Sequence, residues 1–247
     1  MPKIFNNGTN RQGLIVWGGE SSSDYGIVVS EAPAFDKPVR RSNVFNVQGR
    51  NGSIIYQDGS FEDVTRTYKV WIHEDVKVTM PDAVNAFSAW LYSKTGYQRL
   101  EDSFEPDTFR LAYYNGGVDV SNELMQYGET TISFVCRPER FLKDGEFEQS
   151  VSNGDKLYNP TRFESKPLIH IEGSGAVTIT ISGVTMSATI TDYINIDCDR
   201  MNAYRLPAEN MNNKISGTFP TLKSGSNLIA TTGTVSKVLI TPRYYFI

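Results

Sequence analysis

Histidine and cysteine are almost missing from this chain. Among 247 residues there are two of each: His73 and His170, Cys136 and Cys198. Structural and catalytic zinc sites need three or four His, Cys, Asp or Glu ligands at matched spacing, and no such grouping is visible. There is no G-x-S-x-G elbow, no P-loop and no dinucleotide fingerprint, so the common routes to hydrolysis, phosphoryl transfer and hydride transfer have no signature here. No apolar run approaches the roughly 18 residues that span a bilayer. The N-terminal MPKIFNNGTN lacks the apolar stretch of a secretory signal. The expectation is a protein kept in the cytoplasm that made it, or released by a route needing no signal, and without a membrane partner. In a reducing compartment Cys136 and Cys198, each inside an alternating β pattern, read first as small buried apolar residues; a disulfide between them is the lesser alternative.

Basic tracts are missing too. Arg40-Arg41 is no more than a pair, and the formal net charge is −4. Residues 1–142 hold 14 Lys+Arg against 18 Asp+Glu, whereas residues 143–247 hold ten of each, so the acidic excess lies wholly in the first part. Sequence-specific nucleic-acid binding, which needs phosphate-neutralising cations, is not expected. A channel that lets DNA pass is compatible with this balance, since a neutral or acidic wall does not hold the strand.

What is present is a core-forming, β-rich composition: 39% hydrophobic and 12% aromatic residues. Alternating apolar and polar residues predict strands at 14–17, 27–30, 44–47, 109–114 and 131–137. The segment Gly49–Ile72 carries two turn dipeptides, Asn51-Gly52 and Asp58-Gly59, and then alternates: Val64, Arg66, Tyr68, Val70 and Ile72 on one face, Asp63, Thr65, Thr67 and Lys69 on the other. It reads as rigid β-scaffold. Trp71 breaks the pattern as a large aromatic on the polar face. One helix is expected after Pro81, with Ala83, Val84, Phe87, Trp90 and Leu91 on one side, packed against a sheet.

Around residues 138–160 the texture turns charged and Gly/Asn/Ser-rich, which predicts a boundary and two domains, 1–142 and 143–247. Beyond it short strands are expected at 167–172, 176–182, 184–191, 193–200 and 235–240, a pattern that fits a β-sandwich. The fold class is therefore mainly β: an N-terminal β-barrel or sheet domain with one α-helix, then a β-sandwich.

The remaining candidates for chemistry are thin. Asp197 and Asp199 share a predicted strand face with Tyr193 and Asn195, which is either a weak Asp-x-Asp metal motif or the solvent face of a strand. Glu62 and Asp63 point to opposite faces and cannot flank one glycosidic bond together. No catalytic residue, metal or cofactor is assigned. A carbohydrate-binding adhesin remains the alternative function, because Tyr158, Tyr193, Tyr204, Tyr244 and Tyr245 lie in the second part. That part has no tryptophan, however; Trp17, Trp71 and Trp90 all lie in the first.

Six blocks, in this order, carry a resemblance: GRNGSIIYQDGSFEDVTRTYKVWI at 49–72, DAVNAFSAWLYS at 82–93, CRPERFL at 136–142, YNPTRFESKPLIHIEGSG at 158–175, INIDCDRMNAY at 194–204 and SGTFPTLKSGSNLI at 216–229. Together they resemble the distal tail proteins (Dit) of phages with long non-contractile tails. The resemblance implies a structural virion protein and no enzyme. Its N-terminal domain would form the wall of a six-membered ring at the tail tip, and its C-terminal galectin-like β-sandwich would face outward. The ring would join the major tail tube and tape-measure proteins to tail-associated lysin, baseplate or receptor-binding proteins, with DNA passing through its lumen. Some longer relatives carry inserted carbohydrate-binding modules, for which two domains leave no room here. A ring needs heterologous contacts between copies. Trp71 is the candidate residue for that contact, the alternative being that it packs under a loop of its own domain.

Overall fold

The computed structural model describes residues 13–73, 79–117, 121–123, 127–206 and 209–247. The N-terminal stretch read above as lacking a signal lies, up to residue 12, outside them. Strand dominates, with one α-helix among the described residues. The chain divides into two compact units, Met1–Arg140 with Ile247, and Phe141–Phe246.

The first unit is built on one sheet in the order Glu20–Ser21, Ile15–Trp17, Gln98–Asp102, Thr108–Tyr113, Tyr127–Leu142, Val64–His73, Ile27–Val29. Its axis is the antiparallel pair Val64–His73 and Tyr127–Leu142, in which Ile132 faces Tyr68 and Phe134 faces Arg66. The period-two alternation of 64–72 does what it dictates: Val64, Arg66, Tyr68, Val70 and Ile72 are all buried.

The helix Met80–Tyr92 starts from Thr79, which is extended and donates its hydroxyl to the Asp82 carboxylate at 2.7 Å, with Pro81 in the first turn. Its buried stripe is Met80, Ala83, Phe87, Trp90 and Leu91, at i, i+3, i+4 spacing. Trp90 meets Trp17 edge-on at 6.1 Å and stacks under Tyr25 at 5.1 Å. Each large side chain so buried contributes roughly 1.5–3 kcal/mol of transfer free energy.

Under this core lies an ionic network. Arg66, 1% exposed, reaches the Asp102 carboxylate at 3.1 Å and donates to the Ala34 carbonyl at 2.5 Å. Tyr68 donates to the same Asp102 oxygen at 2.8 Å, and the backbone N–H groups of Phe104 and Glu105 donate to the other. Glu105 takes Arg140 at 2.6 Å and Arg110 at 3.5 Å. Burial, followed by the adjacent Asp102 charge, pushes the Tyr68 phenol well above its ordinary value, so it remains a donor.

The second unit is a sheet in which two long strands, Leu168–Ile181 and Gly225–Thr241, pair along their length. Each merges segments that sequence punctuation separates, because the pairing shifts register at Glu172/Gly173 and again between Ser174 and Thr178. The lower half of the first strand pairs with Tyr193–Asp197 and the upper half with Val184–Ile190. Ile169 and Ile171 from one half and Val177, Ile179 and Ile181 from the other share a single core with Ile194, Ile196, Leu222, Ile229 and Ile240. Gly173 is required at the bend, since a Cβ there would sit 2.2 Å from the Thr234 carbonyl oxygen.

Two expectations need correction. The block 49–72 is not one scaffold: Val64–His73 is a central strand, whereas Ile54–Tyr56 pairs only with Asn43–Phe45 in a separate two-stranded ribbon. The strand Gln98–Asp102 lies outside the set predicted from alternation. Asp197 is not on a solvent face with Asp199; the strand ends at Asp197, which turns inward.

Candidate assembly surface

Among the described residues, no group of three or more His, Cys, Asp or Glu side chains could hold a metal ion. Cys136 and Cys198 are buried and free, and burial pushes their thiols up to about 11 and about 12, which keeps them protonated and inert. Asp197 accepts Arg243 with both oxygens, at 2.7 and 3.1 Å, and the N–H groups of Asp199 and Arg200. Burial pushes its carboxyl up, but the Arg243 bond and the backbone donors outweigh that and hold it below the ordinary value. It is a structural ion pair that ties the C-terminal tail to the strand end.

His170 is held between Asn195 at 2.8 Å and Glu172 at 3.3 Å, with Tyr193 tilted over it at 5.3 Å. The tyrosines considered as sugar platforms differ in setting, with Tyr204 opposite Asn195 on the neighbouring strand. Tyr244 is buried, Tyr245 stacks on Phe163 at 5.8 Å, Tyr193 covers His170, and Tyr158 is exposed.

Both units carry exposed apolar side chains, among them Phe147, Tyr158 and Met201 in the second and Phe35, Val39 and Trp71 in the first. On the outer face of the sheet, Trp71 is 51% exposed, between Glu129 and Val28 on the neighbouring strands and one alternation from Lys69, which pairs with Glu31 at 3.0 Å. About half of the Trp71 side chain is therefore open to solvent.

Sequence reasoning missed a second and larger feature. Every residue from Val39 to Gly59 is exposed, yet the segment is ordered as a ribbon. Val44 pairs with Ile55 on one side of it; Phe45 with Ile54, and Asn43 with Tyr56, on the other. Both sides are therefore apolar. The signal was in the sequence as adjacent apolar residues, Val44-Phe45 and Ile54-Ile55-Tyr56, where a half-buried strand would alternate.

The chain is mainly β and resembles phage tail proteins in sequence and in fold. Residues 22–136, a little under half of the chain, match the family model of the phage tail protein RIFT-related domain. The fold of the whole is that of a distal tail protein. It superposes on the crystal structure of the Dit protein of phage SPP1, described as a paradigm of the hub adsorption apparatus in phages infecting Gram-positive hosts, with a TM-score of 0.76. That match covers 95% of this chain and 99% of the other at 13% identity. A chain of the phage p2 baseplate in its activated conformation matches with a TM-score of 0.50 and 11% identity, over 93% of this chain and 96% of the other. No curated protein matches the sequence.

Proposed function

We propose that this protein is the distal tail hub of a phage with a long non-contractile tail. Six copies form a ring through their N-terminal units, at the tail tip of the virion. The ring joins the tail tube and tape-measure proteins to baseplate, tail-lysin or receptor-binding proteins, and DNA passes through it. The role is structural: it needs no cofactor and no catalytic group. Trp71 is a contact between neighbouring copies, in the manner of aromatic anchors that bury at interface centres.

The observation that carries this proposal is the agreement of fold over nearly all of both chains with SPP1 Dit, a hub protein. The phage tail domain within residues 22–136 supports it independently.

Native mass spectrometry of the full chain, alone and with its tail partners, is expected to give a species of about six times 27.7 kDa. Trp71→Ala should raise the concentration needed for assembly about tenfold and change unfolding stability by less than about 1 kcal/mol, as for other exposed sites. A monomer under every condition would overturn the ring. Unchanged assembly of the variant would remove Trp71 from it.

A further inference from the structure

We propose that Asn51 is a self-modification site: its side chain condenses with the Gly52 backbone nitrogen and is converted, with water as the only co-reactant, to aspartate and isoaspartate. The change needs no enzyme and does not depend on the ring proposed above. The chain holds four Asn-Gly pairs, at 7–8, 51–52, 115–116 and 153–154. The first lies outside the described residues. Glycine after asparagine favours the reaction, because no Cβ obstructs the approach of its nitrogen and its backbone turns freely. The folded surroundings separate the other three pairs.

Asn51-Gly52 lies in the loop 46–53 that joins the strands Asn43–Phe45 and Ile54–Tyr56. The base of that loop is tied, since the Ser53 hydroxyl donates to Asn46 Oδ1 at 2.6 Å and the Arg50 N–H to the Val47 carbonyl at 3.2 Å. The tip is open. Asn51 and Gly52 are both exposed, and a Cβ added to Gly52, at φ +79°, would meet nothing within 4 Å. Among the described residues neither the Asn51 amide nor the Gly52 N–H has a hydrogen-bond partner. Asn153-Gly154 has the same sequence and the opposite setting. The Gly154 N–H donates to the Ile229 carbonyl at 2.8 Å, and Asn153 Oδ1 accepts the Thr231 N–H at 2.9 Å. Nucleophile and electrophile are thus both held by the strand Gly225–Thr241, and attack requires both bonds to open. Asn115-Gly116 is intermediate: the Gly116 carbonyl accepts the Tyr92 hydroxyl at 3.2 Å, and the Tyr114 hydroxyl comes within 3.3 Å of where a Gly116 Cβ would stand.

The step balances without an oxidant or reductant. The Gly52 nitrogen gives its proton to solvent hydroxide and attacks Asn51 Cγ. The N–Cγ bond forms, the Cγ–Nδ2 bond breaks, and the nitrogen leaves as ammonia with a proton taken from water. Water then opens the five-membered succinimide. Breaking the new N–Cγ bond gives aspartate; breaking the original peptide bond gives isoaspartate, whose backbone runs through Cγ. Either product puts a carboxylate beside Arg50, and the isoaspartyl form lengthens the loop backbone by one carbon. An aged copy therefore differs from a fresh one at the end of an exposed ribbon.

The test incubates the full chain at mildly alkaline pH, in native buffer and in urea that unfolds it. Peptide mass spectrometry follows positions 51, 115 and 153, and labelled-methyl transfer by an isoaspartate methyltransferase counts the isoaspartate formed. In buffer position 51 should react at least about tenfold faster than 153, since each hydrogen bond that must open slows attack by up to about one decade. Position 115 should fall between them. In urea the three rates should converge, because the local sequence is the same. Asn51→Gln, at an exposed site, should keep the melting transition and remove most of the methyl acceptance gained in buffer. Position 153 reacting as fast as 51 in buffer, a preference for 51 that persists undiminished in urea, or a variant that accepts methyl groups like wild type would each overturn the proposal.

Discussion

Asp102→Ala should lower the stability of the N-terminal unit by about 3–5 kcal/mol, the usual cost of leaving a buried charge without its partner. Asp102 takes Arg66 and Tyr68 on one oxygen and two backbone N–H groups on the other, so its removal orphans four donors at once. Glu105 is the nearest replacement, but its carboxylate is 4.0 Å from Arg66 and is already engaged with Arg110 and Arg140. Tryptophan fluorescence isolates the effect, because Trp17, Trp71 and Trp90 all lie in this unit and the other has none. With a urea slope of about 1–3 kcal/mol per molar, the midpoint should fall by roughly 2 M. The paired replacement Arg66→Met/Asp102→Leu should recover much of the loss, since a buried ion pair is often no more stabilising than apolar residues of similar volume. A loss below about 1 kcal/mol in the single variant would show that the network is not the keystone of this unit.

Asn227→Leu is the corresponding change in the second unit, with an expected loss of about 3 kcal/mol. Asn227 is completely buried. Its amide nitrogen lies 2.8 Å from the Lys223 carbonyl, 3.0 Å from that of Gly225 and 3.3 Å from that of Leu157, and donates to them. Its oxygen accepts the Ser182 hydroxyl and the Lys223 N–H, both at 2.8 Å. One side chain therefore closes the loop 223–227 on itself and fastens it to the turn at Ser182. Leucine fills the volume but satisfies none of those groups, and each buried orphan costs roughly 1–3 kcal/mol. Chemical denaturation followed by far-ultraviolet circular dichroism reads the change, which tryptophan fluorescence cannot see directly. An unaltered midpoint would mean that the loop relaxes to water at no cost.

Much of this architecture is legible from residue patterns. The alternation from Val64 to Ile72 and the helical spacing of Ala83, Phe87, Trp90 and Leu91 are strong because one face of each element is buried and the other is wet. The two cysteines, flanked by apolar alternation, lie where that pattern puts them. Where the pattern failed, a different interaction had replaced simple burial. Gln98–Asp102 shows no apolar alternation because its inward polar residue, Asp102, is satisfied by an arginine and a tyrosine distant in sequence. Asp197 looks like a surface acid because Arg243, its partner, lies 46 residues away. The long strands 168–181 and 225–241 look like fragments because the glycines at their bends mimic turns. The ribbon 43–56 looks like scaffold because apolar β-residues signal burial without saying which chain provides it.

That last ambiguity is the functional one. Twenty-one successive exposed residues around an ordered apolar ribbon are what the residue pattern alone does not tell from a buried hairpin.

The central claim is position in the particle. Intact virions labelled with gold-conjugated antibody against the Phe141–Phe246 unit and viewed by electron microscopy should carry the label at the distal end of the tail. Label along the tail tube or on the capsid, or particles that lack the protein, would contradict a tail-tip hub.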